Sequence, residues 1–534
     1  MALVLTVVAG AVALLAWGEA SRYLSELNIA DPAIANYEPV LSEPTPRISR
    51  RVVLVIIDGL RLDDSFGRQT LDRLRRAGVD AVATSHYPSI SRPNHATIVT
   101  GVPPLVSGIR NNTFRSPVAI DSLMDRVRAA GLSATYVADD SPSLGYLFGD
   151  DFSSLYYGRW PGAFAKSTQL AMADPANSLL VLIPGMVDVA GHEFGGDSDE
   201  YRQAAYDVDT QLQESLKLLD LQADTIIVTA DHGHTDAGGH GGEEDVVMRV
   251  PLILAGAGIR SDALLGSAEL IDIAPTVAAL LGVSAPGHAL GRTLTEVLEL
   301  APQQVRAIRT ADTIRIQTNA ERYDESLRAR RIETTEENRS RFILLAGLLA
   351  FGLVALTLSR RAGALHIDWR VLVIAVPAYP LCYYGMLDVL GQSLSFSALQ
   401  DRGSEMSNLS RFGLIATGVQ LIAGWLALRG RIVLRDRLAA ANALVATGLL
   451  VAWIPAALLW ASFGSAPHVE MPSSRVALLI PANYIAVATY AVGATIFLTL
   501  EIVVFFARAI DPRMRLRRLE RAAAKERRRL EKDE

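Results

Sequence analysis

Long apolar segments in the last two hundred or so residues constrain this chain more than any other feature. Five runs are long enough to cross a bilayer, at about 342–358, 371–391, 412–428, 438–463 and 482–506. A sixth apolar run opens the chain, from Ala2 to Trp17, without the basic flank of a typical signal peptide, although Gly18-Glu19-Ala20 would fit a cleavage site. We interpret this run as an uncleaved anchor. The sequence therefore predicts an integral membrane protein with six spans.

The positions of the arginines predict how these spans are oriented. The loops after the second and fourth spans contain Arg360, Arg361, Arg370 and Arg429, Arg431, Arg435, Arg437, and the tail 508–534 holds eleven Lys or Arg against six Asp or Glu. The alternate loops, 392–410 and 464–475, contain only Arg402 and Arg475. Because basic loops stay in the cytoplasm, the C-terminal tail is predicted to be cytoplasmic and the long segment after the first span extracytoplasmic. Buried helices of a soluble protein would not produce this alternation.

The same pattern divides the chain into six parts. They are an N-terminal transmembrane anchor (1–20), a linker (21–47), an extracytoplasmic domain (48–300), a connecting helical segment (301–341), a five-helix transmembrane domain (342–507) and a basic cytoplasmic tail (508–534).

Composition excludes several function classes. The net charge is −6 although the tail is basic, so the rest of the chain is acidic and would repel a nucleic acid; the membrane is the expected partner. The single cysteine, Cys382, lies in an apolar run, which leaves no disulfide or thiolate metal cluster within one chain. Only Lys166 and Lys217 precede the tail, so Schiff-base chemistry and a P-loop have almost no candidate lysine.

Short β-branched runs alternate with helical stretches between residues 48 and 300. The candidate strands are Val52–Ile57, Ala134–Val137, Leu179–Ile183, Thr225–Thr229 and Leu252–Leu254. This alternation predicts an α/β fold, a doubly wound, mostly parallel sheet covered by helices on both faces. Asp58, Asp188 and Asp231 each follow one of these strands, and ligands bind at the carboxyl edge of such sheets, so we expect these carboxylates to share one crevice.

Histidines accompany these carboxylates. His192 lies four residues after Asp188, His232 directly follows Asp231, and His240 lies within Gly238-Gly-His-Gly-Gly242. An oxygen and nitrogen ligand set without cysteine suits Zn²⁺, with Mn²⁺ as the alternative. Six such ligands are too many for one ion and suit two divalent metal ions.

A candidate nucleophile precedes a short helix. Ser91 lies before Pro93, which suits the first turn of a helix, and Gly101 is positioned to end it. A hydroxyl at a helix N-terminus would meet a phosphate, although the alternative is that Ser91 is only an N-cap. His95 is interpreted as a helix-packing residue, and the role of His234 is left open.

Together these motifs resemble the alkaline phosphatase superfamily, specifically its phosphodiesterase and phosphotransferase branches. The resemblance covers about 48–295 and includes Ile57-Asp58-Gly59, Ser91-Arg-Pro-Asn-His95, Gly108-Ile-Arg-Asn-Asn112, Asp188-Val-Ala-Gly-His192, Asp231-His-Gly233 and His240-Gly241. It implies one metal held by Asp188, His192 and His240. It also implies a second metal held by Asp58, Asp231, His232 and the Ser91 oxygen. Asn112 would hold a non-bridging phosphate oxygen.

Two families within the superfamily fit in different places. Ser91-Arg-Pro and Asp231-His-Gly-His-Thr-Asp-Ala-Gly-Gly-His-Gly-Gly242 resemble the GPI ethanolamine-phosphate transferases, whereas Pro93-Asn-His95 and Asn112 resemble the nucleotide pyrophosphatase/phosphodiesterases, which use Thr as nucleophile. His234 stands where both families usually have Met, and GPI transferases carry far more spans after the domain.

The resemblance implies a membrane-bound two-metal phosphotransferase. It would move a phosphoethanolamine-type head group from a phospholipid donor to a lipid or glycan acceptor through a phosphoryl-serine. A metal-dependent phosphodiesterase or pyrophosphatase is the first alternative, since water would then replace the acceptor. A non-catalytic membrane protein that handles lipids is the second.

Overall fold

The computed structural model of the chain describes residues 1–26, 33–139, 142–158, 162–363, 366, 371–390, 395–398, 402–429, 433–464 and 471–510. Most of the predicted basic tail, 511–534, lies outside the described residues, as do Arg370 and Arg431 of the predicted cytoplasmic loops.

An eight-stranded sheet organises residues 48–300, which we call the sheet domain. Its strands are β1 Arg51–Ile56, β2 Gly78–Thr84, β3 Ser133–Ala138, β4 Ser154–Tyr157, β5 Asn177–Ile183, β6 Asp224–Thr229, β7 Arg249–Gly256 and β8 Ala268–Glu269. They are ordered β4-β3-β5-β1-β6-β7-β2-β8, and only β7 is antiparallel to its neighbours. The predicted mostly parallel α/β fold is confirmed.

Helices pack against this sheet in two groups. The first helix of the chain, α1 Ala2–Glu26, packs elsewhere, on α15 and α16. The helices within the sheet domain are α2 Gln69–Ala77, α3 Ser91–Thr100, α4 Pro104–Ser107, α5 Leu123–Ala129, α6 Ser143–Phe148, α7 Gly162–Ala173, α8 Met186–Phe194, α9 Asp199–Ser215, α10 Asp245–Met248 and α11 Ile273–Leu281. Helices α2, α7 and α8 contact α9, whereas α5 and α3 contact α11. Two separate helix layers are what a doubly wound sheet requires.

The central strands are buried along their whole length. Every residue of β1 is buried, since Val, Leu and Ile fill both faces of a strand covered on both sides. Strand β1 lies between β5 and β6, and Val55 pairs with both Leu182 and Val228. The carboxyl ends of three neighbouring strands therefore meet at one edge of the sheet.

Long helices form the second half of the chain, which we call the helical bundle together with α1. They are α12 Pro302–Arg361, α13 Ala378–Leu390, α14 Arg402–Leu428, α15 Leu434–Phe463 and α16 Ser474–Ile510. Among the described residues, five segments are long and apolar enough to cross a membrane: Ala2–Tyr23, Thr334–Arg361, Ser407–Leu428, Arg435–Phe463 and Ser474–Arg508. The predicted span 371–391 corresponds to a shorter apolar helix, Val373–Val389. Six spans therefore remain a prediction.

Helix α12 connects the sheet domain to the bundle without a break. Its first part is bonded to the sheet domain, because Asp312 accepts from the Thr293 N–H (2.7 Å) and the Asn319 side chain donates to the Gly287 carbonyl (2.9 Å). The predicted connecting segment 301–341 and the apolar segment after it thus belong to one helix of 60 residues.

Small residues allow close packing within the bundle. Helix α1 packs along α16, where Ala9, Ala16 and Ala20 belong to the same buried cluster as Ala477. Such close approach of apolar helices is typical of membrane proteins. Near the far end of α16, Glu501 accepts two hydrogen bonds from Arg437, both of 2.6 Å, so this ionisable group is paired.

Candidate metal centre and nucleophile

Ser91 is the first residue of α3. The preceding residue, Ile90, is extended (φ −117°, ψ 145°), and the helix ends at Gly101, whose φ of 70° is left-handed. The Ser91 side chain is buried, and its Oγ lies 3.1 Å from Nε2 of His232. The predicted nucleophile is therefore at a helix N-terminus, in direct contact with a predicted metal ligand.

The first cluster, Asp58, Asp231 and His232, lies at the carboxyl ends of β1 and β6. Ligand atoms of all three residues lie within 4.8 Å of one another. Nε2 of His232 is 3.3 Å from Asp231 Oδ2 and 3.6 Å from Asp58 Oδ1. The Gly59 N–H donates to Asp231 Oδ1 at 3.1 Å, which leaves Oδ2 directed at the histidines.

The second cluster comprises Asp188, His192, His234 and His240, whose ligand atoms also lie within 4.8 Å of one another. The Nε2 atoms of His192 and His240 approach to 3.1 Å, and Nε2 of His234 lies 2.9 Å from Asp188 Oδ1. The first two histidines were predicted as ligands. His234, which the sequence left open, is fully buried in the same cluster.

Glycines make room for this additional histidine. A Cβ at position 191 would lie 2.6 Å from the His234 ring. Gly59 has a φ of +75°, and a Cβ there would lie 2.8 Å from the Asp188 backbone and 3.0 Å from His234 Nε2. Since contacts this short are not tolerated, both glycines are required by the packing around His234.

Two of the histidines have one ring nitrogen occupied by a backbone carbonyl. Nδ1 of His240 lies 2.9 Å from the Ser89 carbonyl, and Nδ1 of His232 lies 3.0 Å from the Gly233 carbonyl. Each Nδ1 therefore carries the proton, so Nε2 presents its lone pair to the site. Burial lowers the pKa of both His232 and His240, which keeps them neutral and able to bind a metal near neutral pH.

Neighbouring groups in the two clusters strongly shift the pKa values of the carboxylates. Burial and repulsion from Asp231 and Asp188 hold the pKa of Asp58 well above its usual range. Burial alone would raise the pKa of Asp188, but the hydrogen bond from His234 and the favourable electrostatics of the surrounding histidines hold it well below that range. A positive charge among these groups would stabilise all three carboxylates in their ionised form.

Buried polar atoms in the site also fit a cation. Among the described residues, Asp58 Oδ1, Asp231 Oδ2 and His234 Nδ1 have no hydrogen-bond partner. Unsatisfied buried carboxylate oxygens are costly unless an ion neutralises them. The two ligand groups thus have the donor chemistry of a divalent metal centre.

His95 lies beside this centre, although the sequence was interpreted as giving it only a packing role. Its Nε2 is 3.2 Å from Asp231 Oδ2, and its Nδ1 is 2.6 Å from the Ser143 hydroxyl. His95 follows Ser91 by four residues on α3, and this spacing puts both side chains on one helix face. From that spacing, the position of His95 beside Ser91 could have been predicted.

Asn112 lies in the loop that follows α4 and is tied to the residue after the nucleophile. The Arg92 N–H donates to Asn112 Oδ1 at 2.8 Å, and the Arg92 guanidinium donates to the carbonyls of Asn112 and Phe114. The Asn112 side chain is therefore held next to the residue that follows Ser91. Burial, with repulsion from Arg115, lowers the pKa of Arg92 to about 10.

The helical bundle contacts the loop that carries His240. Ser397 accepts from the Gly242 N–H (2.8 Å) and donates to Glu244 (2.7 Å), and the Ser474 N–H donates to Glu243 (3.1 Å). The Phe396 ring lies 3.1 Å from the position a Cβ would take on Gly241. The second cluster is therefore adjacent to the end of the bundle.

Comparisons with known proteins agree with this site. A family model for type I phosphodiesterases and nucleotide pyrophosphatases matches residues 52–130, and one for the Metalloenzyme superfamily matches residues 164–285. Together these matches cover the strands and loops that carry both clusters. They support divalent metal binding.

Curated relatives are ethanolamine phosphate transferases. The chain is 24% identical over 329 residues to human GPI ethanolamine phosphate transferase 1, covering 50% of this chain and 35% of the relative. It is 25% identical over 309 residues to GPI ethanolamine phosphate transferase 2 of Kluyveromyces lactis, covering 50% of this chain and 39% of the relative. The chain thus spans just over a third of the length of these relatives.

Solved structures with a similar fold include three kinds of protein. Murine ectonucleotide pyrophosphatase/phosphodiesterase 5 in complex with AMP is 15% identical with a TM-score of 0.39, covering 44% of this chain and 96% of that one. Alkaline phosphatase PafA is 12% identical with a TM-score of 0.42, covering 48% and 100%. The periplasmic domain of EcEptC from Escherichia coli, in complex with Zn, is 15% identical with a TM-score of 0.36, covering 48% and 88%.

The family models and the transferase relatives support placing the sheet domain in the alkaline phosphatase superfamily. The long apolar helices, together with these relatives, support an integral membrane protein.

Proposed function

We propose that this protein is a phosphotransferase with two divalent metal ions. It moves a phosphoethanolamine-type head group from a phospholipid donor to a lipid or glycan acceptor. The names of its curated relatives support the head group and the reaction class. The two ligand groups beside a buried serine support the chemistry.

The metal ligands divide between the two clusters in this proposal. Asp188, His192 and His240 hold one ion, with His234 as a further ligand, and Asp58, Asp231, His232 and the Ser91 oxygen hold the other. Zn²⁺ suits these nitrogen and oxygen donors, and Mn²⁺ is the alternative. When bound, the two ions would lower the pKa of the serine hydroxyl and stabilise charge on the transferring phosphoryl group.

The residues of the chain then carry out a double displacement. Ser91 Oγ attacks phosphorus, a new O–P bond forms, and the bond from phosphorus to the diacylglycerol oxygen breaks. The diacylglycerol leaves with a proton, and the amide of Asn112 donates to a non-bridging oxygen. An acceptor hydroxyl next attacks the phosphoryl-serine, loses its proton, and returns Ser91 to its hydroxyl form.

The contact between the His240 loop and the bundle is the observation that favours a lipid substrate. Ser397 and Ser474 belong to the bundle, and each is bonded directly to the loop that follows His240. The reacting centre is thereby held next to helices with the length and composition of membrane spans. Tethering at the bilayer raises the effective concentration of lipid substrates.

We include the predicted topology in this proposal. Six spans, with 371–391 as the third, put the sheet domain outside and residues 508–534 in the cytoplasm. The basic residues of 508–534 and the Arg360 and Arg361 pair support this orientation.

Hydrolysis is the second candidate function, in which water replaces the acceptor. The match of residues 52–130 to the type I phosphodiesterase model supports it, and so does the position of Asn112 beside Arg92. Both candidates share the phosphoryl-serine, so they differ only in what accepts the group.

Product analysis separates the two. Purified protein with Zn²⁺ or Mn²⁺ and labelled phosphatidylethanolamine should release diacylglycerol and move the labelled head group to an added lipid or glycan acceptor, as read by mass spectrometry. Because the site lies beside the bundle, we expect transfer to exceed hydrolysis once the acceptor shares the bilayer. Free phosphoethanolamine released at an unchanged rate across an acceptor panel would favour the hydrolase. Lipid binding without any product would favour a non-catalytic lipid-handling role.

His234 gives a second test in the same site. His234→Met introduces the residue usual in the resembled families. It should lower the metal affinity of the site at Asp188 by about tenfold or more, because the His234 ring no longer binds the metal or hydrogen-bonds to Asp188. Competition with a chromophoric chelator measures this change. His86→Met is the matched control, since His86 belongs to neither cluster. Equal metal affinity of both variants would contradict the assignment of His234.

A further inference from the structure

A groove in the helical bundle lies between α1, α15 and α16. It encloses a cavity of about 300 Å³, and its walls include Val12, Glu19, Trp453, Trp460, Tyr484 and Val487. The described residues give this groove no role in metal binding, since neither ligand cluster includes any of them.

The two ends of this groove differ in chemistry. On helix α1, Glu19 lies closer than Val12 to the end of the helix that leads into the sheet domain. At that end, the Tyr23 hydroxyl donates to the Ala477 carbonyl near the start of α16. Tyr484 is likewise nearer than Val487 to Ser474, whose N–H is bonded to Glu243 of the sheet domain. The groove therefore has a polar end beside the sheet domain and an apolar end deeper in the bundle.

The polar end contains buried oxygens that are not satisfied. Oε2 of Glu19 and the Tyr484 hydroxyl have no hydrogen-bond partner among the described residues, and Tyr484 is only 5% exposed. The other Glu19 oxygen lies 3.5 Å from Arg22. A carboxylate within an apolar segment is costly, and such residues usually mark a binding site.

These groups select a cationic hydrogen-bond donor. Both oxygens line the same groove, where an ammonium group could donate to them, and the Trp460 indole adds a surface suited to a cation. The apolar part of the groove extends along α1 from Glu19 to Val12 and along α15 from Trp460 to Trp453. Each of these segments is about 10 Å long at a helical rise of 1.5 Å per residue, a length that suits part of an acyl chain.

We infer that the groove binds one phospholipid with a primary-amine head group, its ammonium at Glu19 and Tyr484 and an acyl chain between Trp453 and Val12. The Arg341 guanidinium, which also pairs with Glu337, lies against Gly464, four residues beyond Trp460 of the groove. Tyr23, one turn beyond Glu19, packs in the same cluster as Ile90, the residue before Ser91. The inference rests on the proposed function only in taking the held lipid as the donor.

Native mass spectrometry of the full-length Ser91→Ala protein tests this binding. That variant turns over no donor if the proposed function is right, and binding is measured without any product, so the two ideas fail separately. From an equal mixture of phosphatidylethanolamine, phosphatidylcholine and phosphatidylglycerol, we expect one phosphatidylethanolamine to be retained with about tenfold preference, the effect of hydrogen bonds to a charged group. Equal retention of all three lipids would overturn the inference.

Two further variants in that background locate the lipid. Glu19→Gln changes no volume and should remove most of the preference for phosphatidylethanolamine over phosphatidylcholine. Val12→Trp should lower retention about tenfold by filling the apolar end, whereas the matched Leu14→Trp, at an exposed position of α1 outside the groove, should not. If Glu19→Gln keeps the full preference, or if Val12→Trp and Leu14→Trp behave alike, the lipid is not bound in this groove.

Discussion

Ser91→Ala is expected to lower kcat by about three orders of magnitude or more while the protein keeps its fold and its metals. The Ser91 oxygen is the attacking atom in the proposed reaction, and no other described hydroxyl contacts His232. The six Asp and His ligands remain in the variant, and Ala tolerates the first position of α3. Initial rates with labelled phosphatidylethanolamine, together with metal analysis, measure the effect.

Ser91→Thr is the matched variant for this experiment. It keeps a hydroxyl at the start of α3 and resembles the threonine nucleophile of the nucleotide pyrophosphatases, so it should retain measurable turnover and form a phosphoryl-threonine. Acid quenching followed by peptide mass spectrometry would detect the phosphoryl group on residue 91. Near-normal activity of Ser91→Ala would rule out the covalent mechanism.

Much of the sheet could be predicted because local sequence decides it. Val52–Ile57 and Thr225–Thr229 are uninterrupted β-branched runs, and the observed strands β1 and β6 differ from them by one residue at each affected end. Asp58 and Asp231 directly follow these strands, so the carboxyl-edge rule alone brings them into one crevice.

Strand β2 was not predicted, for a physical reason. Gly78–Thr84 has only two valines among small and polar residues, and its partly exposed pattern differs from that of the buried central strands. It is held by antiparallel pairing with β7, and a partner distant in sequence gives no local signal. A strand of this kind depends on tertiary contacts more than on propensity.

The site itself was incompletely predicted where long-range packing decides it. His234 reaches Asp188 only because residue 191 is glycine, and nothing local to His234 indicates that space. The bonds from Ser397 to the loop after His240 join residues more than 150 positions apart. His95, by contrast, had a readable signal in its spacing from Ser91.

Metal removal is expected to affect stability as well as activity. The buried carboxylates Asp58 and Asp231 have oxygens without a hydrogen-bond partner among the described residues, so an ion that binds them stabilises the folded sheet domain. At a free metal concentration a thousandfold above Kd, metal binding raises the free energy of unfolding by about 4 kcal/mol. A chelator should therefore lower the Tm markedly, whereas reductant should not, since the one cysteine, Cys382, lies in the bundle.

Asp231→Asn tests how much of the metal-dependent stability depends on the negative charge of the Asp231 carboxylate. Asn at position 231 keeps an oxygen to accept from the Gly59 N–H, so the loop retains its hydrogen bond while the carboxylate facing His232 is lost. Metal analysis should find two ions per chain in the wild type and fewer in this variant, with a lower Tm and little turnover, and His240→Ala should do the same at the other cluster. Asp197→Asn is the control, because Asp197 pairs with Arg202 on the surface, where such pairs contribute about 0 to 1 kcal/mol. Unchanged metal content and Tm in both Asp231→Asn and His240→Ala would exclude the two-metal centre, because each substitution removes a ligand from a different cluster.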